Sequence, residues 1–177
     1  MTQSNNRETL CFGFGETGLG LILAAESSTG VAALFIGSDA AKLERDLKAA
    51  FPKAECVADQ AGLGATIAKA AALIDAPHQQ SDLKLDLRGS PLEIAVWKAL
   101  QAIPAGETRT YGALARSLPL AATAQDVGAA CAANRIAVAI PCHRVVKSDG
   151  SISGYRWGVH RKRRLINLEG VACFVPI

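Results

Sequence analysis

The sequence is poor in aromatic residues, with two Trp, two Tyr and five Phe among 177 residues, and it has a single Met. Its core must therefore rest on Leu, Ile, Val and Ala, packed through closely approaching helices. No apolar run is long enough to span a bilayer, and Met1 to Thr9 is polar, without a targeting pattern. No membrane partner is expected on that ground. The five cysteines (Cys11, Cys56, Cys131, Cys142, Cys173) include no C-x-x-C pair, so neither a zinc knuckle nor a disulfide framework is indicated. An odd, scattered set of thiols fits a reducing compartment, and the expected location is cytoplasmic.

What is present is a globular balance, 50% hydrophobic and 20% charged, in a length that suits one domain or two small ones. The net charge of +3 is unevenly divided. Met1 to Leu87 holds seven Lys and Arg against eleven Asp and Glu, a charge of −4. Arg88 to Ile177 holds twelve against five, a charge of +7. A basic C-terminal half points towards a polyanion, although a solvated basic face has the same composition.

Leu10–Gly15, Leu19–Ala25 and Val31–Ile36 are apolar runs separated by short turn segments, a pattern that predicts an antiparallel meander. Ser38 or Asp39 can then cap a helix with Leu43, Leu47 and Phe51 on one face, stopped by Pro52. A second helix is expected over 63–74, before Pro77. No chemistry is concentrated here, and His78 reads as an exposed loop residue. The alternating Leu83–Leu87 predicts a half-buried strand, with the domain junction beside it: 1–85 as an α/β unit and 86–177 as a second, mainly helical one.

Pro91 suits the first turn of a helix reaching Ile103, with Trp97 in its apolar stripe and in the core. A helix-turn-helix candidate follows. Thr110 can cap a helix over 111–118, and a turn at Pro119-Leu120 leads to a second over 123–133 that has almost no bulk on any face. Such a helix serves either tight core packing or close approach to a nucleic-acid groove. The apolar run Ile136–Ile140 reads as a strand entering Pro141-Cys142-His143-Arg144-Val145-Val146. An imidazole and a guanidinium beside Cys142 in sequence favour the nucleophilic thiolate, and a structural cysteine is the competing reading.

Pro141–Val146 resembles the active-site signature of the O6-alkylguanine-DNA alkyltransferases. Asn134, eight residues before the cysteine, Tyr155, thirteen after it, and Glu169 keep the register. The runs Cys131–Asn134 and Ser153–Gly158 are most similar to the C-terminal half of Ada-type adaptive-response proteins. The likeness is strong from about Arg88 to Glu169 and weaker, though collinear, before it.

The resemblance implies an RNase H-like α/β domain followed by a helical domain whose helix-turn-helix enters the minor groove of double-stranded DNA. A damaged guanine is flipped into a pocket, since a stacked base hides its exocyclic oxygen from a thiolate. It implies irreversible, single-turnover transfer of a methyl or other alkyl group from O6 of guanine, with O4 of thymine a second candidate, to Cys142. His143 would accept the thiol proton through a water, oriented by Glu169. Tyr111 would hydrogen-bond the ring nitrogen of the base, and Asn134 would hold the turn before the cysteine. Substrate contacts fall to Val145, Tyr155, Arg156 and Trp157. DNA contacts fall to Thr110, Tyr111, Ala124, Gln125, Gly128, Ala129 and Arg135. Neither a cofactor, a metal nor an obligate protein partner is implied.

Two positions depart from the family's pattern. Gln125 stands where the recognition helix usually carries an arginine, which predicts weaker duplex binding or slower flipping. Trp157 is bulkier than its counterpart in some relatives and is expected to crowd the pocket, favouring methyl over larger groups. Alternative readings are a methylation-sensing module of an Ada-type transcriptional regulator and a lesion binder with weakened transferase activity. A Cys-His hydrolase is disfavoured, because no oxyanion-hole motif is visible.

Overall fold

The computed structural model describes residues 7–170. The outer ends of both expected units, and Cys173 with them, lie outside the described residues.

The three apolar runs form β1 (Thr9–Thr17), β2 (Gly20–Glu26) and β3 (Val31–Gly37), an antiparallel meander as their turn segments predict. A fourth strand, β4 (Glu55–Ala58), pairs parallel to β1, giving the order β3-β2-β1-β4. The sequence reading missed β4, which is four residues long and mostly exposed, so it carries no apolar pattern. Six successive residues of β3 are buried. Because neighbouring strand side chains point to opposite faces, both faces of this strand are covered.

Asp39 caps α1 (Ala40–Ala50), whose Leu43 and Leu47 are buried. Helix α2 (Gly64–Asp75) packs on β1 at Gly13 and Gly15, where an added Cβ would stand 2.7 Å from Ile67. Residues 83–87 are not a strand. A single bridge joins Leu85 to Val31, and hydrogen bonds from Val31 N to Lys84 O and from Asp86 N to Val31 O hold this segment to β3.

The helical part holds α3 (Pro91–Gln101), with a Ser90–Glu93 capping box, then α4 (Tyr111–Ser117) and α5 (Ala124–Ala133). It closes with α6 (Val159–Leu168). Trp97 is buried, and its indole N–H donates to the carbonyl of Ala130 on α5 at 2.9 Å. Two short strands, β5 (Arg109–Thr110) and β6 (Val145–Val146), pair in parallel and set the start of α4 beside the cysteine segment.

Ile136–Ile140 is likewise not a strand. Leu34 N donates to Arg135 O and Ala137 N to Leu34 O, so the segment touches the edge of β3 for one bridge. It then bends through Val138, at φ 66°, and closes on itself between Ala137 and Ile140. The left-handed backbone of a β-branched residue is costly, and the surrounding burial holds it in place. The bend delivers Cys142 to a 3-10 turn, Cys142–Arg144, in the interior.

Candidate active site

Asn134 ends α5 and is fully buried. Its amide Nδ2 donates to Ile140 O at 3.0 Å and to Cys142 Sγ at 3.3 Å, and its Oδ1 accepts from Ile136 N at 2.9 Å. One side chain thus fastens the helix end, the bend and the thiol together. The Cys142 amide donates to Ile140 O, completing the turn.

His143 follows Cys142 in the 3-10 turn and is fully buried. Its Nε2 meets Glu169 Oε1 at 2.8 Å. Against an ionised carboxylate Nε2 carries the proton, which leaves Nδ1 as the acceptor. Among the described residues, His143 Nδ1 and Tyr155 Oη are the buried side-chain polar atoms without a partner. Arg144 grips the same Glu169 through Nε and Nη2 and also donates to Ile103 O and Pro77 O.

These contacts set the charges. Burial pushes the Cys142 thiol up, against the Asn134 hydrogen bond and the nearby Lys162 charge, which favour the thiolate. Burial likewise lowers His143, although Glu169 opposes it. For Glu169 burial works upward, but the hydrogen bonds from His143 and Arg144 outweigh it and hold the carboxyl below its usual range. The resting pair is therefore a thiol beside a neutral imidazole. The Arg144 guanidinium, a neighbour in sequence expected to favour the thiolate, is spent instead on Glu169 and two carbonyls.

Cys142 forms the floor of a cavity of about 440 Å³, walled by Tyr111, Gly128, Cys131, Ala132, Gly154, Tyr155 and Arg156. Tyr111 is half-buried at the start of α4. Arg156 stands at the rim, with Nη1 donating to Asn134 O at 3.0 Å. Cys131 shares the cavity, and burial pushes its thiol up to about 12.

Trp157 does not line this cavity, contrary to its expected place among the substrate contacts. Its ring packs edge-on against Tyr155 and faces a larger groove beside α1, about 680 Å³, whose walls include Lys42, Arg135 and Arg161. The indole thus meets the cavity through Tyr155, one of its walls, rather than by lining it. Val145 is buried in β6, and its amide already donates to Cys142 O.

Thr110 caps α4 through Oγ1, which accepts from Ala113 N. On α5 a Thr123–Asp126 capping box starts the helix, and Ala124, Gln125 and Ala129 are exposed with Gly128 half-buried. A Cβ added at Gly128 would meet nothing within 4 Å. Tight packing within the chain thus does not account for the small residue there. Arg135 lies elsewhere, with its guanidinium over the Phe51 ring at 5.2 Å and along the groove beside α1.

Lys162, one of four successive basic residues (Arg161, Lys162, Arg163, Arg164), is fully buried and donates to Ser153 Oγ at 3.0 Å. The available signal was its position: Lys162 shares helical spacing with Leu165, Ile166 and Glu169, the inward face of α6.

Residues 91–171 match the family described as 6-O-methylguanine DNA methyltransferase, DNA binding domain. The chain is 40% identical over 151 residues to the bifunctional transcriptional activator/DNA repair enzyme Ada of Escherichia coli. That match covers 85% of this chain and 43% of Ada, so the chain spans less than half of that relative's length. A Candida albicans methylated-DNA–protein-cysteine methyltransferase is 41% identical over 121 residues, 68% of each chain. The structure of Mycobacterium tuberculosis OGT in complex with DNA superposes with a TM-score of 0.74 at 30% identity, over 90% of this chain and 92% of that one. On these likenesses the chain belongs to the methylated-DNA–protein-cysteine methyltransferases.

Proposed function

We propose that this protein repairs DNA by taking the alkyl group, methyl above all, from O6 of guanine irreversibly onto Cys142. The observation that carries the reading is the cavity that opens beside Gly128 of α5 and ends on Cys142 Sγ. Helix α5 leaves a face of small residues for the minor groove of double-stranded DNA, with Thr110 and Tyr111 beside it. The lesion enters the cavity by flipping out of the stack. O4 of thymine presents the same alkyl–oxygen bond and is the second substrate expected.

Deprotonation comes first. The Cys142 proton passes to His143 Nδ1, the unpartnered buried nitrogen, by way of a water, and Glu169 stabilises the imidazolium through Nε2. The thiolate then displaces the base in line from the alkyl carbon. Tyr111 gives its hydroxyl proton to the ring nitrogen of the departing guanine, so that the base leaves neutral. Burial raises Tyr111, keeping its hydroxyl protonated until that moment. The product is a thioether, which nothing in the site reverses. Asn134 holds the attacking sulfur at the cavity floor, and Tyr155 and Arg156 close its side.

The test is stoichiometry. Duplex DNA bearing O6-methylguanine should lose one methyl group per protein molecule and no more, without added cofactor. Continued turnover, or tight lesion binding with no loss of methyl, would overturn the reading. The second outcome would favour a methylation sensor, a reading supported by the 40% identity to one part of a transcriptional activator.

A further inference from the structure

The groove of about 680 Å³ beside α1 is larger than the cavity above Cys142, and no step of the proposed reaction uses it. Its walls carry four cations, Lys42, Arg135, Arg156 and Arg161, against two acids, Asp39 and Asp46, a balance of +2. Pairing within the chain leaves the arginines over. Asp46 takes Lys42 at 2.6 Å. Asp39 is turned to the start of α1, where its Oδ1 accepts from Ala41 N and Lys42 N. Arg161 donates to Leu19 O and Trp157 O. Arg156 meets carbonyls alone, Asn134 O at 3.0 Å and Ala132 O at 3.5 Å. Among the described residues the Arg135 side chain has neither a hydrogen bond nor an ion pair, and its guanidinium lies over the Phe51 ring.

Arg135 and Arg156 reach the groove from different segments, one just past the end of α5 and the other from the loop before α6. The Arg156 guanidinium lies 5.5 Å from the centroid of the Phe35 ring on β3 and 5.7 Å from that of Trp157. A guanidinium resting on a ring face keeps the N–H groups of its edge free to donate. Burial, and then the Arg135 charge, weaken the hold of Arg156 on its proton, so the two cations repel across one groove. An anion between them removes that repulsion, and the guanidinium fork matches the oxygens of a phosphate. We propose that the groove beside α1 is a second binding site, in which Arg135 and Arg156 together hold a phosphate group. The phosphate belongs either to the backbone of a DNA strand or to a free phosphate ester. Arg156 also walls the cavity above Cys142, so a strand anchored here is held beside the place where a flipped base would enter.

Two probes separate the sources: inorganic pyrophosphate, and a short single-stranded oligonucleotide without a lesion. Two variants separate the site from general attraction, because Arg135→Gln and Arg163→Gln remove the same charge. Arg163 is exposed on α6 and does not line the groove. Arg135→Gln should weaken binding of the probe that occupies the groove by about tenfold. For the oligonucleotide it should also lower the slope of log affinity against log salt by about 0.7. Arg163→Gln should change both far less. In the wild-type protein, phenylglyoxal, which reacts with guanidinium groups, should modify Arg135 and Arg156. A bound probe should protect both peptides and leave that of Arg163 reactive. This measurement needs no variant and carries the test if thermal melting shows Arg135→Gln to be unfolded.

Protection by the oligonucleotide alone assigns the site to a DNA backbone, and protection by pyrophosphate alone to a free phosphate ester. Protection by both shows that the phosphate group itself is what the groove recognises. Binding of neither probe, equal losses in the two variants, or Arg135 and Arg156 left reactive under a bound probe would each overturn the proposal. Wild-type protein that takes no methyl group from O6-methylguanine would overturn the functional reading and leave this site standing, since neither probe carries a lesion.

Discussion

Up to Leu87 no polar or charged side chain of the described chain is buried, whereas Asn134, His143, Arg144, Lys162 and Glu169 are all buried after it. The sheet unit therefore draws its stability from apolar burial, the term that folding ordinarily relies on. The second unit gives up some of that term to hold a hydrogen-bonded polar cluster around one thiol. Such a cluster is tolerated where its members find partners, and of the two buried atoms left without one, His143 Nδ1 and Tyr155 Oη, the first is the proton acceptor in the proposed reaction. Polar groups that are buried, connected and incompletely satisfied mark the half that does chemistry.

The largest effect expected from this contrast is at Cys142 itself. Cys142→Ser should abolish methyl acceptance while the melting temperature scarcely moves, because the thiol is not what holds the turn. Residual transfer above background would break the comparison at its centre. Glu169→Ala comes next, since it strands the buried guanidinium of Arg144 and unties His143. A loss of about 3–5 kcal/mol in chemical denaturation is expected, together with a slowed transfer rate in the fraction that remains folded.

Leu47→Ala in α1 should cost a comparable amount, about 2–5 kcal/mol, since Leu47 is fully buried. Its transfer rate below the melting transition should equal that of the wild type. A slowed rate would show that the sheet unit contributes more than support.

The two halves should also separate by pH. The Glu169 carboxyl is held below its usual range in the folded protein, so its contribution is fully present above an unfolded value of about 4.3 and is lost as pH falls through the folded value. Glu169→Gln should flatten the acid limb of a stability–pH curve, and Leu47→Ala should lower the whole curve and leave its slope. The smallest effect is expected at Gln125, exposed near the start of α5. Gln125→Arg should tighten duplex binding a few-fold and steepen its salt dependence by roughly one counterion, with no change in the reaction of free O6-methylguanine.

The meander was legible because β1, β2 and β3 are apolar runs between short polar turns, and α1 because Asp39, Leu43 and Leu47 fall at capping and helical positions. The residues near the thiol were legible through their register with a known family. The rest was hidden for identifiable reasons. Ile136–Ile140 has the composition of a strand, but its ladder extends to one bridge before Val138 turns the chain. Lys162 sits in a run of four basic residues whose spacing on α6, rather than whose charge, decides which one turns inward. Arg144 adjoins the cysteine in sequence and serves Glu169 instead, because a 3-10 turn sends neighbouring side chains in different directions. Trp157 adjoins Arg156 at the cavity rim, yet its ring faces the opposite groove.

Two thiols, Cys131 and Cys142, share one cavity, and the account assigns the chemistry to one of them. Burial pushes both thiols up, Cys131 to about 12, but Asn134 Nδ2 donates to Cys142 Sγ and opposes the rise there. Peptide mapping after reaction with a duplex bearing an isotopically labelled O6-methylguanine decides between them. The account predicts one labelled methyl group, confined to the peptide that holds Cys142. Label on the Cys131 peptide, or divided between the two, would contradict it.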